Sequence, residues 1–349
     1  MKLTLGFILF LGVLLSAKLL AVNQAAVKST RYHEVDNVKH QVFKINSRID
    51  GLQLALHSAS PLAKTKRGTI LLLHGSSFPS QLSFGFTISG KSWVDQLTSL
   101  GYQVYSLDFL GYGDSDRYSE MIQGEQNAEP LGRGVDVLQD VNLAAEFILT
   151  QDKVAKIDVL GHSWGGAVAA HFAERYPEKV EHLVLYAGIT TAQATKSAAN
   201  NTVPAYSELT PELRIQSLAS LSPEADQPLL AQEMFKTWGV QWLASDPLAS
   251  DELKVRYPAG PNADVADFFQ GVSFYNPKSI RAKVLIIRGE HDQYPSNEQA
   301  YQLFNALTNT ENKRYVVINN GTHVLHLEQN RHQLYQSVND FLLMPVNNR

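Results

Sequence analysis

Between Ile157 and Tyr176 the chain reads IDVLGHSWGGAVAAHFAERY. A short apolar run is followed at once by Gly161-His162-Ser163-Trp164-Gly165-Gly166 and then by a helical pattern, so a G-x-S-x-G motif falls where a strand turns into a helix. The glycines there have a steric reason. The turn is tight enough to force Ser163 into a strained backbone, and side chains at the flanking positions would collide. Ser163 is thereby lifted clear of the sheet at the tip of a helix, where its hydroxyl can attack a carbonyl carbon; the plainer reading is a Gly-rich helix start capped by Ser163. Cysteine is absent, which removes thiolate nucleophiles, disulfides and Cys-ligated metals. A serine hydroxyl is a weak nucleophile until a base takes its proton, and the base must itself be held by an acid. Two later apolar runs end in ionisable residues: Lys283–Gly289 leads into Glu290-His291-Asp292-Gln293-Tyr294-Pro295, and Arg314–Asn319 into Asn320-Gly321-Thr322-His323. Loops beyond the carboxyl ends of strands are where open α/β sheets build their sites. Asp292 or Glu290 can serve as the acid, and His323 or His326 as the base. A metal set from His323-x-x-His326-x-Glu328 with His291 and Asp292 is a competing reading, disfavoured because such ligands need rigid helical or strand spacing and these sit in loops.

The elements that must position these groups can be read from apolar periodicity. Two alternating segments between about Val38 and His57 flank Asp50-Gly51, a strong hairpin signal, so an antiparallel edge pair opens the sheet. Apolar runs at Thr69–Gly75, Tyr102–Phe109, Ile157–Gly161 and Val180–Gly188 alternate with helical patterns around Trp93–Leu100 and Val135–Leu149. These strand runs are too continuous to be half exposed, and their alternation with helices predicts a parallel sheet covered on both faces. From 189 to 276 the pattern breaks into helix-like pieces with no strong strand run, then resumes at Lys283–Gly289 and Arg314–Gly321. The expected organisation is core over 23–188, an insertion over 189–276, and core again over 277–349. Residues 1–22 differ from the rest: Met1-Lys2 precedes an almost unbroken apolar run from Leu3 to Ala17, which predicts a signal peptide or, if uncleaved, a membrane anchor. Export to the periplasm or medium is the expectation, with membrane contact only through an uncleaved segment. The 349 residues, 44% hydrophobic and 18% charged, are those of an ordinary globular protein. With 30 Lys+Arg against 34 Asp+Glu and a formal charge of −4, nothing is spare to grip a nucleic acid.

Four segments together resemble the α/β-hydrolase superfamily: LLLHG at Leu71–Gly75, DFLGYGDSD at Asp108–Asp116, GHSWGG at Gly161–Gly166, and the late GEHDQYP and GTHVLHLE stretches. The resemblance runs from about Thr69 to Leu343 without the insertion. It implies an α/β-hydrolase fold: a mostly parallel eight-stranded sheet, helices on both faces, and a helical cap inserted after the sixth strand. It also implies Ser163 as nucleophile, Asp292 as acid and His323 as base, with the backbone N–H groups of Ser76 and Trp164 facing a developing oxyanion. His74 and His162 read as structural, and Asp108 as organising the loop of Gly111 and Gly113. The implied activity is hydrolysis of a small-molecule carboxylic ester with a small or apolar acyl group, needing neither cofactor nor metal. Serine at the elbow, where dehalogenases and epoxide hydrolases of this fold carry aspartate, disfavours alkyl transfer. Two alternatives stay open. Acidic cap residues such as Glu208, Glu212 and Glu233 could hold a substrate amine, as in proline iminopeptidase-like aminopeptidases or amidases, and the fold also serves non-catalytic ligand binding. Aromatic residues of the insertion, Phe235, Trp238, Trp242, Tyr257, Phe268, Phe269, Phe274 and Tyr275, either line an apolar pocket or form the cap's own core.

Overall fold

The computed structural model describes residues 29–35, 38–62, 66–191, 203–224, 226–249 and 253–344. The expected leader or anchor over 1–22 lies outside the described residues. Among them no helix is long and apolar enough to cross a membrane.

Nine strands form the main sheet: β1 (Ser29–Val35), β2 (Val38–Asn46), β3 (Gln53–Pro61), β4 (Gly68–Leu73), β5 (Tyr102–Asp108), β6 (Ile157–His162), β7 (Val180–Tyr186) and, beyond the insertion and its strands β8 (Tyr206–Leu209) and β9 (Val255–Pro258), β10 (Lys283–Gly289) and β11 (Lys313–Ile318). Their spatial order is β1-β2-β3-β5-β4-β6-β7-β10-β11. From β5 to β11 every pairing is parallel, while β1, β2 and β3 join antiparallel. The hairpin forms at Asp50-Gly51, with Gly51 at φ 83°, a left-handed conformation that suits glycine. It is not the edge of the sheet: β1 pairs outside β2, which makes nine strands where eight were expected and puts the cap after the seventh strand in chain order.

Side chains on the central strands alternate between two covered faces, as a period of two requires. Leu71 and Leu73 join Val159, Leu183 and Leu185 beneath the helices Gly134–Asp152 and Trp164–Arg175. Ile70 and Leu72 join Leu160, Val184, Leu285 and Ile287 under the helices Trp93–Ser99 and Arg331–Leu342 on the other side. Local chemistry sets the helix starts: Ser92 with Asp95, and Ser296 with Gln299, form reciprocal capping boxes.

Between β7 and β10 the chain builds helices Pro211–Ala219, Gly239–Ala244 and Gly260–Phe269. The insertion is not all helical. β8 and β9 pair antiparallel there, with Glu208 opposite Arg256 and their side chains 2.8 Å apart. Strands of four residues, YSEL and VRYP, are too short and too polar to leave an apolar run. Of the cap aromatics, Trp238, Trp242 and Phe268 are buried, and Phe235 and Phe269 are exposed. Trp238 reaches the core: its indole N–H donates to the Leu82 carbonyl at 3.0 Å and its ring meets Phe78 edge-on at 5.2 Å.

Candidate active site

β6 ends at His162 and the next helix begins at Trp164, so Ser163 alone turns the chain. Its φ of 57° and ψ of −125° lie where a non-glycine residue carries strain of order 1–3 kcal/mol. Surrounding structure holds it there. Ser163 N–H donates to the Tyr186 carbonyl at 2.9 Å, and its own carbonyl accepts from Gly166 at 2.9 Å and Ile189 at 3.1 Å. The glycines are required by contact: a Cβ on Gly161 would stand 2.2 Å from the Gly165 oxygen, and one on Gly165 2.2 Å from the His74 oxygen.

The three groups expected to act together are together. His323 Nε2 lies 2.8 Å from Ser163 Oγ, and its Nδ1 lies 3.0 Å from Asp292 Oδ1. That carboxylate oxygen also accepts the Tyr294 N–H at 3.1 Å, which fixes its orientation. A carboxylate on Nδ1 keeps a proton there in the neutral ring, leaving the Nε2 lone pair for the serine hydroxyl. The rival acid is excluded by position: Glu290 accepts the Asn320 N–H at the surface, 3.0 Å away. The rival base is buried elsewhere, with His326 Nε2 3.1 Å from Ser83 Oγ and Nδ1 3.0 Å from Tyr186 Oη. Of the rest of the proposed metal set, Glu328 takes the Thr322 N–H and hydroxyl, and His291 lies 3.8 Å from Glu290. Apart from the His323–Asp292 pair, these side chains face separate partners and do not converge on one point.

The loop over Ser163 comes from the end of β4. A Cβ on Gly75 would be 3.2 Å from Ser163 Cβ, so the loop passes directly beside Ser163 at Gly75 and continues into Ser76. Trp164 is the first residue of its helix, where a backbone N–H has no intrahelical acceptor. His74 secures the loop as a neutral ring: Nδ1–H donates to the Gly75 carbonyl at 2.7 Å, while Nε2 accepts the Phe109 N–H at 3.3 Å. Burial lowers its pKa to about 4. Asp108 organises the neighbouring loop, accepting from Ser80 N–H at 2.9 Å, Asp114 N–H at 3.0 Å and His57 Nε2 at 2.9 Å. Burial alone would raise this carboxyl, but the facing His57 and these hydrogen bonds hold it below the usual range.

Of the residues that position these groups, His162 was expected to be structural, and Tyr186, Arg288 and Asp264 were not foreseen. His162 donates from Nε2 to the His323 carbonyl at 2.9 Å, and Tyr186 Oη donates to the same oxygen at 3.2 Å, so His323 is anchored to the strand ends beside Ser163. Arg288, 2% exposed, reaches the Asp292 carbonyl, the Pro295 carbonyl and Asn297 Oδ1 and so braces the loop of the acid. Its only trace in the sequence is a charge inside the apolar run KVLIIRG. Asp264, from the cap helix Gly260–Phe269, accepts the Trp164 indole N–H and the Gly134 N–H, each at 2.7 Å, and pairs with Arg133. Nothing at the level of residue spacing joins Trp164 to a residue one hundred positions away.

Comparison with known proteins agrees with this architecture. The family model described as serine aminopeptidase, S33, matches residues 64–330, more than half of the chain. An AB hydrolase superfamily protein, YfhM of Bacillus subtilis, is 33% identical over 150 residues, 43% of each chain. A 2-hydroxy-6-oxononadienedioate/2-hydroxy-6-oxononatrienedioate hydrolase of Escherichia coli is 34% identical over 123 residues, 35% of this chain and 36% of that protein. The chain therefore aligns with less than half the length of these curated relatives. Among solved structures, a serine hydrolase from Cycloclasticus zankles superposes with a TM-score of 0.60 at 16% identity, covering 86% of this chain and 97% of its own. Naproxen esterase from Bacillus subtilis gives 0.55 at 17% identity, covering 87% and 92%. At such identities the likeness is one of fold. With the sheet order, the elbow at Ser163 and a family match over most of the described core, the chain belongs to the serine aminopeptidase S33 family of α/β-hydrolases.

Proposed function

We propose that this hydrolase cleaves carboxylic esters through an acyl-enzyme on Ser163. The observation that supports it is the continuous hydrogen-bonded relay from Ser163 Oγ through His323 to Asp292, at 2.8 and 3.0 Å. Ser163 Oγ attacks the carbonyl carbon as its proton passes to His323 Nε2. The negative oxygen of the tetrahedral intermediate is received by the N–H groups of Ser76 and Trp164, each such donor contributing about 3 kcal/mol. Collapse breaks the ester C–O bond, and the departing alkoxide takes the proton from His323. Water then repeats the sequence on the acyl-serine, releasing the acid and restoring the hydroxyl, while Asp292 stabilises the imidazolium formed in each half. Phe78, Trp238 and Trp242 are buried against one another and pack the cap onto the core.

The aminopeptidase reading requires a carboxylate for the substrate amine, and the cap does not offer the expected ones. Glu208 is paired with Arg256, Glu233 accepts the Ser89 N–H at the surface, and Glu212 is exposed on the first turn of its helix. A fluorophosphonate probe is expected to label the protein at Ser163, with labelling lost in Ser163→Ala. An unlabelled, folded wild type would instead place the chain among the non-catalytic binding members of the fold. On the labelled enzyme, short p-nitrophenyl acyl esters are expected to give a higher kcat/KM than prolyl anilides; the reverse ranking would make it an aminopeptidase.

Residues 1–22 support a second proposal, that the protein is exported. Sequencing the N-terminus of protein recovered from the native host is expected to begin after about residue 21 to 26, and an intact Met1 in the cytoplasmic fraction would refute it.

A further inference from the structure

A guanidinium turned toward a protein interior is costly unless an anion meets it. In the cap helix Pro211–Ala219 the buried residues are Pro211 and Leu218. Arg214 stands three positions after the first and four before the second, which places it on the same inward stripe. Enclosure by the surrounding protein draws its pKa below the ordinary arginine value. No carboxylate compensates for this. Among the described residues its side chain has neither an ion pair nor a hydrogen bond, and its Nε is buried without a partner. The residue nevertheless keeps partial exposure, and the terminal nitrogens are not sealed in with Nε. The terminal N–H donors of the fork are therefore accessible and without a protein partner among the described residues.

The ionisable neighbours that act on Arg214 are the phenols of Tyr257 and Tyr112. Tyr112 Oη donates to the Ser76 carbonyl at 2.6 Å, on the loop that passes Ser163. Tyr257, on β9, has its ring 6.2 Å from Trp242, whose ring in turn lies tilted against Trp238 at 5.5 Å. Arg214 is thus set between the loop beside the nucleophile and the aromatic layer of the cap.

We propose that Arg214 binds a carboxylate carried by the substrate, so that the ester cleaved is an anionic one: a half-ester of a diacid, or an ester whose alcohol part bears the acid. This rests on the serine hydrolase reading and names its substrate class. The planar fork matches a carboxylate with two parallel hydrogen bonds, and the same charge repels a substrate ammonium.

The test uses two matched pairs of substrates, p-nitrophenyl hemiglutarate against p-nitrophenyl valerate for the acid side, and 4-acetoxybenzoate against 4-methylphenyl acetate for the alcohol side. Wild-type enzyme is expected to favour the anionic member of one pair, which identifies the side that carries the charge. In Arg214→Met that preference, taken as the ratio of kcat/KM values, is expected to fall about 30-fold, chiefly through KM, with partial recovery in Arg214→Lys. A wild type that favours the neutral ester in both pairs, or a preference unmoved by Arg214→Met, overturns the proposal. If the Met variant does not fold, Arg214→Gln replaces it under the same criterion. A neutral fluorophosphonate run on the same samples separates the two readings: an unlabelled wild type removes the hydrolase mechanism, whereas a labelled enzyme without the preference removes only the role of Arg214.

Discussion

Asp292→Asn is expected to lower kcat on a p-nitrophenyl ester by about 10⁴-fold while leaving the fold intact. Asparagine occupies the same volume, so the loop braced by Arg288 keeps its shape. What changes is the proton. The carboxylate oxygen 3.0 Å from His323 Nδ1 demands a donor there. An amide can turn its NH₂ toward the ring and favour the opposite tautomer, with the proton on Nε2 facing Ser163 and no base available. Loss of the negative charge also leaves the imidazolium formed during attack without compensation. Glu290→Gln, two positions away, is expected to change kcat less than about 2-fold, because its carboxylate meets the Asn320 N–H and the His291 ring at the surface and touches neither His323 nor Ser163. The pair is read by steady-state kinetics beside thermal melts. Equal losses in both variants, or a near-normal Asp292→Asn, would exclude Asp292 as the partner of the base.

The second large effect is on stability. His74, His162 and His326 are buried and neutral, with burial as the leading cause: pKa values fall to about 4 for His74 and about 3 for His326, and well below the ordinary value for His162. In the unfolded chain each titrates near 6.5. Below that pH the unfolded state takes up protons that the folded state refuses. The stability these residues contribute is thus complete above pH 6.5 and is lost as the pH falls through the window down to about 4 for His74 and about 3 for His326. Each approaches a slope of about 1.4 kcal/mol per pH unit, so the three together approach about 4. Glu328 works against them. Its buried carboxyl is pushed up to about 7, so the folded state keeps a proton that an unfolded glutamate releases, which subtracts about one such slope over part of the window. His57, raised by facing Asp108, acts above pH 6.5 and does not offset the loss. Urea midpoints are therefore expected to fall steeply below about pH 6; a midpoint unchanged down to pH 4.5 would contradict three neutral buried histidines.

The parts of this site that sequence makes legible are those set by local chemistry. Ser163 is marked by glycines whose necessity is steric, and Asp292 and His323 follow apolar runs that could only be buried strands. Their meeting is a property of the fold, and the resemblance supplied the choice between Asp292 and Glu290 and between His323 and His326. Elements with weak local signals were missed or misplaced: β1 (STRYHEV) is too polar to show alternation, and β8 and β9 are four residues each. Residues whose roles depend on contacts made only in the folded chain were invisible. Arg288 acts on a loop it precedes, Asp264 on an indole from another layer, and Arg214 is notable for a partner it lacks. Each is a charged group in an apolar setting, and that mismatch is the signal to look for.

The contact between Asp264 and Trp164 constrains how molecules come and go. Swinging the roof away as one rigid plate would strip the buried indole and Gly134 amide of their shared acceptor, at about 1–3 kcal/mol apiece, and would free the side chain of the residue that follows Ser163. The cap is therefore latched through Asp264 to the first residue of the helix that follows Ser163, and any opening must begin by giving up that shared acceptor.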